Sequence, residues 1–133
     1  MAAVLTVYDE TTTGDRTAAI ELTFPTEQIT IRELIRERVY QEVHDHNVQR
    51  RSTGVFRGLV RPTDAEATLN GYKLKKPREI DWRPQFEAAI DAFERNQILV
   101  LVDAQQADSL EQSIEVSHGT DVTFLRLTPL VGG

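Results

Sequence analysis

From Val4 to Tyr8 the side chains alternate, with Val4, Thr6 and Tyr8 on one face and Leu5 and Val7 on the other. That is the period of an extended strand. Thr17 to Phe24 repeats it, setting Ala18, Ile20, Leu22 and Phe24 against Ala19, Glu21 and Thr23. A polar turn containing Gly14 lies between, so the pattern predicts a hairpin. Pro25 ends it, because proline has no N–H for a ladder. The period then changes: Ile31, Leu34, Ile35, Val39 and Val43 share one helical face, and Arg32, Glu33, Arg36 and Glu37 take the other. Thr30 and Glu33 stand at capping-box spacing. A helix to about residue 46 is expected, lying across the hairpin's sheet.

The pattern over 47–96 is less regular. Val48 to Gly58 is rich in arginine and glycine and reads as loop. Leu69-Asn-Gly-Tyr72 carries the Asn-Gly signal of a tight hairpin turn, with short strands on either side. Lys75-Lys-Pro-Arg78 reads as exposed. Asp81 is placed to cap a second helix, with Pro84 tolerated in its first turn. Trp82, Phe86, Ala89, Ile90 and Phe93 form a stripe that reads as core packing. Ile98 to Val102 is a continuous apolar run, the signature of a strand buried on both faces. Ser109 to Ile114 fits a short helical turn with Leu110 and Ile114 inward, and Val122 to Leu127 a last strand after the turn at Gly119. No internal repeat or low-complexity segment interrupts the chain.

Composition narrows the function classes. A chain of 133 residues is long enough for one domain with a real core. The longest apolar run is far too short to cross a bilayer. With no basic leader before an apolar segment, the expected location is the cytoplasm. Cysteine is absent, so this chain has no disulfide framework, thiolate metal site or thiol nucleophile. The net charge of −6 argues against nucleic acid as the main ligand, and no membrane partner is expected. His44 and His46, two apart on a helix, point to different sides and cannot share a metal there. Asp103 and Asp108 flank a polar loop without EF-hand spacing. Ser113 and Ser117 stand in no recognised nucleophile arrangement. Nothing supports an independent enzyme, and no cofactor or metal is expected.

The end of the sequence carries the most specific chemistry. Val122-Thr-Phe-Leu-Arg-Leu-Thr-Pro-Leu-Val-Gly-Gly133 reads as an apolar strand, a proline stop and a diglycine. Two glycines without side chains can thread a narrow channel and present a carboxylate to a large reagent. The order strand, strand, capped helix, strand, short helical turn, strand, diglycine resembles the β-grasp fold of ubiquitin and its relatives over roughly sixty per cent of the chain. Thr17-Ala-Ala-Ile-Glu-Leu-Thr-Phe-Pro-Thr-Glu-Gln-Ile-Thr-Ile-Arg-Glu-Leu34 resembles ubiquitin's second strand, loop and helix start. Residues 98–133 are similar to its C-terminal half and to that of the sulfur carriers, such as the small subunit of molybdopterin synthase and the thiamin sulfur carrier. The expected fold is therefore α+β, a single ubiquitin-like domain with its core at 1–46 and 97–128. A roughly 50-residue insertion at 47–96 separates the first helix from the third strand, and 129–133 is a tail. The insertion fits best with the ubiquitin-like proteins of bacterial conjugation pathways.

The resemblance implies that Gly133 bears the reactive carboxylate. An ATP-dependent adenylating enzyme would activate it and a cysteine transfer enzyme would carry it as a thioester. The acceptor is a target protein's amine, and a deconjugating metalloprotease is a further implied partner. Pro129, Leu130, Val131, Gly132 and Gly133 form the tail such enzymes would recognise. Leu125 and Leu127 are the nearest candidates for an apolar partner surface like ubiquitin's. The alternative is that the insertion's second helix covers them and that recognition moves to Arg50, Arg51 and Arg57. All three lysines, Lys73, Lys75 and Lys76, lie within the insertion, so self-conjugation is limited to them or the α-amine. A sulfur carrier ending in a thiocarboxylate, and a β-grasp interaction module whose tail is inert, are the other readings.

Overall fold

A computed structural model describes residues 3–49, 55–56, 58–62, 65–68, 71–74, 79–117 and 119–127. Its elements are β1 (Ala3–Thr11), β2 (Arg16–Phe24), β3 (Gln28–Thr30), α1 (Ile31–Gln49), β4 (Val55–Phe56), β5 (Ala65–Thr68), β6 (Gly71–Leu74), α2 (Trp82–Glu94), β7 (Ile98–Val102), β8 (Gln105–Gln106), β9 (Ser113–Glu115) and β10 (Val122–Arg126). The architecture is mixed α+β. Among the described residues, no helix is long and apolar enough to cross a membrane. The chain divides into two compact units, Met1–Leu34 with Ile90–Gly133, and Ile35–Ala89. The division falls inside both helices.

The first unit is built on a five-stranded sheet of order β2-β1-β10-β7-β8. Its centre is a parallel pairing of β1 with β10, from Val7 beside Val122 to Thr11 beside Arg126. The pairings of β1 with β2, β10 with β7 and β7 with β8 are antiparallel. The first hairpin forms as the alternation predicts. In its turn, Gly14 adopts φ 91°, a conformation that costs residues with a Cβ. Its N–H donates to the Thr11 carbonyl at 2.9 Å. The register slips between Val7 and Tyr8, a bulge that sharpens the twist. Leu5, Val7, Leu22, Val100, Val122 and Phe124 share one face, and none is more than 1% exposed.

The start of α1 is tied to this unit through its backbone. The first N–H groups of a helix have no partner within it. Here Ile31 donates to the Gln112 carbonyl at 3.0 Å and Arg32 to the Leu110 carbonyl at 2.9 Å. Glu33 donates to Thr30 Oγ1 at 3.1 Å, while the Glu33 carboxylate accepts from the Thr30 hydroxyl at 3.2 Å and more weakly from its N–H at 3.4 Å. This is the expected capping box.

Two sequence expectations change in this unit. Ser109 to Ile114 is a turn leading into β9, not a helical turn, although Leu110 and Ile114 are buried as expected. The Leu110 and Gln112 carbonyls are taken by α1, and Ile114 pairs with Ile29 of β3. β7 is not buried on both faces: Ile98 and Val100 are buried, whereas Leu99 and Leu101 are half-buried. Strands β3 and β8 are too short for any alternation to announce them.

In the second unit α1 continues to Gln49, three residues past the expected end. Ile35, Val39 and Val43 are buried along it. Between them lies a buried ion pair at i,i+4: Arg38 Nε donates to Glu42 Oε2 at 3.2 Å, with side chains 1% and 8% exposed. Glu42 Oε1 also accepts the Leu59 N–H at 2.8 Å, so one carboxylate joins the helix to the segment after β4. The region expected to be loop contains β4, which pairs with β6 in a three-stranded sheet of order β4-β6-β5. The strands flanking the Asn-Gly signal form as predicted, with Thr68 opposite Gly71. Asp81 Oδ1 accepts the Arg83 N–H at 3.2 Å at the start of α2, and Gln85 donates to the Val60 carbonyl at 3.0 Å.

Breaking a buried pair strands a charge, whereas an exposed pair is screened by water. Arg38→Ala is therefore expected to cost about 3–5 kcal/mol of unfolding free energy. Arg32→Ala, which removes the exposed 2.6 Å bridge to Glu111, should cost about 1 kcal/mol or less. Urea denaturation of the two variants checks the contrast, and equal losses would refute it.

Candidate functional site

Residues paired across a ladder share a face, so the register sorts the side chains of the five-stranded sheet. The face opposite the buried one carries Tyr8, Leu99, Leu101, Thr123 and Leu125. Thr123 is 5% exposed, and the others are half-buried. Leu127 continues the β10 register, its N–H donating to the Gln97 carbonyl at 3.0 Å. It too is half-buried. Leu125 and Leu127, named from sequence, thus sit on this face with Leu99 and Leu101 beside them.

The face is graded along its strands. At the start of β10 it is polar: the Arg16 guanidinium lies 3.9 Å from the Tyr8 ring centroid, donates to Thr123 Oγ1 at 3.3 Å and pairs with Asp121. Toward Leu127 it is apolar, with Leu99 opposite Leu125. On the other face Arg126 donates to Asp9 Oδ2 at 2.9 Å, tying the last residue of β10 to β1. The described structure ends at Leu127. Pro129, Leu130, Val131, Gly132 and Gly133 lie outside it, as do Arg50, Arg51, Arg57, Lys75 and Lys76. Lys73 belongs to β6, with its backbone opposite Val55 and Glu66.

The turn between β7 and β8 holds both of its central residues, Asp103 and Ala104, at positive φ, 49° and 68°. A two-residue hairpin needs this conformation, usually met by Asn-Gly or Asp-Gly. The Asp103 side chain offsets the strain by accepting the Asp121 N–H at 2.9 Å. Asp103 is thereby a turn residue. Among the described residues, no group of three His, Cys, Asp or Glu side chains could hold a metal.

The second unit contains a cleft of about 490 Å³, lined by Tyr40, Val43, His44, Asn47, Ile80 and Trp82 among others. The Tyr40 and Trp82 rings meet edge to face at 5.5 Å, and His44 stacks parallel to Tyr40 at 6.4 Å. Arg36 and Arg83 lie over Trp82 at 5.3 and 5.8 Å. Trp82 is half-buried, so it is only in part the core residue its stripe suggested. Tyr40 and Asn47 escaped sequence reading, and their spacing on one helix face with Val43 and His44 was the available signal.

The cleft is shaped by one side chain. Asn47 donates to the Ile80 carbonyl at 3.0 Å and accepts the Ile80 N–H at 2.8 Å, pairing with that backbone as a strand would.

Comparison with known proteins returns no matching family, no matching curated protein and no matching solved structure. The arrangement can present an apolar stripe beside the end of β10.

Ile80 is 5% exposed, so Asn47→Ala leaves its N–H and carbonyl without those partners, at an expected cost of about 1–3 kcal/mol. Amide exchange at Ile80 should accelerate in parallel. Unchanged exchange would mean that Asn47 does not hold residues 79–81.

Proposed function

We propose that this chain is a ubiquitin-like modifier. In this reading it is a β-grasp domain with an insertion at 47–96, and Gly133 is its reactive residue. The observation that carries the reading is the order β2-β1-β10-β7-β8, with β1 and β10 parallel at its centre. That order, with a capped helix following the hairpin, is the one a β-grasp uses; the modifier reading adds the Pro129-Leu-Val-Gly-Gly133 segment that follows the central strand in sequence. Activation needs a carboxylate on Gly133 in the working protein, whether synthesis or a protease puts it there.

The chemistry belongs to partner enzymes. The Gly133 carboxylate attacks the α-phosphorus of ATP on an activating enzyme, forming an acyl adenylate and releasing pyrophosphate. A partner's cysteine thiolate then displaces AMP to give a thioester. A target amine finally displaces the thiol, leaving an isopeptide bond. With no cysteine in this chain, every thiol these reactions use comes from a partner. Pro129 lacks an N–H and so has no donor to offer a ladder. Leu130 and Val131 offer apolar recognition in an extended mode. The half-buried stripe of Leu99, Leu101, Leu125 and Leu127 supplies a second contact, and water released from it favours docking.

Intact mass of the protein after incubation with ATP and candidate activating and transfer enzymes tests this. A thiol-labile adduct on a partner cysteine, lost when Gly132 and Gly133 are deleted, is the expected result, followed by a thiol-stable conjugate. Activity that survives the deletion overturns it in favour of a plain interaction module. Exchange of one carboxylate oxygen for sulfur on the free protein would instead identify a sulfur carrier. Leu99→Ala and Leu125→Ala are each expected to lower activation or transfer efficiency by about tenfold. Peptide mapping of any self-conjugates should find only Lys73, Lys75, Lys76 or the α-amine.

A further inference from the structure

The edge of β7 is left partly open. Odd-numbered residues of this strand point their backbone groups toward β10, as the pairing of Asp103 with Asp121 and of Leu127 with Gln97 shows. Even-numbered ones therefore face the opposite side. There Val102 is opposite Gln105, and the Val100 carbonyl accepts the Ala107 N–H at 2.8 Å. Beyond Ala107 the chain turns away, through the hydrogen bonds of Asp108 to the Gln112 side chain and of Gln112 to the Ser109 carbonyl. Strand β8 is only two residues long. No hydrogen bond between described residues reaches the N–H or carbonyl of Ile98 on that side, although Ile98 is 5% exposed. Among the described residues this edge is therefore unpaired at Ile98, and an edge of this kind is a template for another strand.

A groove of about 510 Å³ lies along this edge. Its apolar lining includes Phe93, Leu99 and Leu110. Its polar lining includes Glu94, Asp108 and Glu111 against Arg32, so carboxylates outnumber guanidinium groups three to one. Arg32 is already bound to Glu111 at 2.6 Å, which leaves Glu94 and Asp108 to set the sign of the field.

We propose that this groove takes an extended, basic peptide segment of a partner protein by strand addition to β7. The segment's backbone pairs with the N–H and carbonyl of Ile98. An apolar side chain rests on Phe93, Leu99 and Leu110, and lysine or arginine residues to either side meet Glu94 and Asp108. The three features act together: main-chain bonds supply affinity, the apolar lining sets the register, and the carboxylates select the charge. The site borders the leucine stripe at Leu99 but uses none of the chemistry at Gly133, and its test needs no activating enzyme.

Fluorescence anisotropy with a labelled peptide alternating lysine and valine tests the site, with its glutamate–valine counterpart as control. Amide exchange at Ile98 is read in the same samples. The basic peptide should bind and the acidic one should not. Binding should slow exchange at Ile98, and added salt should weaken it. The double variant E94K/D108K changes two exposed side chains and should keep its circular dichroism while losing affinity by about tenfold. Equal binding of both peptides, or binding without protection of Ile98, overturns the proposal. If deletion of residues 128–133 alone speeds exchange at Ile98, the groove belongs to this chain's own C-terminal segment, and the partner site is refuted.

Discussion

Val7 to Thr11 and Val122 to Arg126 lie side by side in parallel, and each strand covers an edge of the other that would otherwise be open. This contact joins residues more than a hundred positions apart, so its loop-closure entropy must be met by many weak gains at once. The ladder supplies some. Others come from Val7, Val122 and Phe124, which are fully buried, and from the Arg126–Asp9 pair at one end. The hairpin on one side and β7 with β8 on the other gain a sheet only through this central pair. It also orients the graded outer face, because the same five residues of β10 alternate between the core and the Leu125 stripe.

The second unit relies on different physics. Its three-stranded sheet has strands of two to four residues, too short to specify much alone. Polar side chains make its long connections. Glu42 binds Arg38 and the Leu59 N–H, Asn47 clasps Ile80, and Gln85 holds the Val60 carbonyl. A buried charged or amide group leaves little slack, since an imperfect partner is costly in a low-dielectric setting. Such contacts position segments that lack a regular ladder.

This difference governs what could be read in advance. The first hairpin, the Thr30–Glu33 cap, the start of α2 and the strands around Leu69 to Tyr72 all follow from patterns several residues long or from specific turn and cap chemistry. β3, β4 and β8 have two or three residues, so no period exists to detect. β9 was concealed because Leu110 and Ile114 stand four apart, a helical spacing, while the carbonyls around them serve α1. Arg38 was illegible in another way: an arginine amid a helix's charged positions looks solvated, and only its placement beside Glu42 and Leu59 makes burial tolerable. Of the candidate site, Leu125 and Leu127 were named through the resemblance, as the leucines of the last strand nearest the tail. Leu99 was not singled out, because its run is apolar throughout and shows no face.

The central pairing also sets a schedule for synthesis. β1 is made before its partner, and the strand that must cover its edge follows after roughly 110 further residues, on the order of 6–22 s later at ordinary elongation rates of about 5–20 residues per second. Throughout that interval the hairpin presents an unpaired strand to anything nearby. The polar side chains of Thr6 and Glu10 in β1, and the mostly exposed residues of β2, make that waiting ribbon more soluble than its apolar face alone would be. Quality control in the cell therefore meets this sheet unfinished before it meets it complete, and nascent chains shortened anywhere between Thr11 and Val122 would remain in that condition.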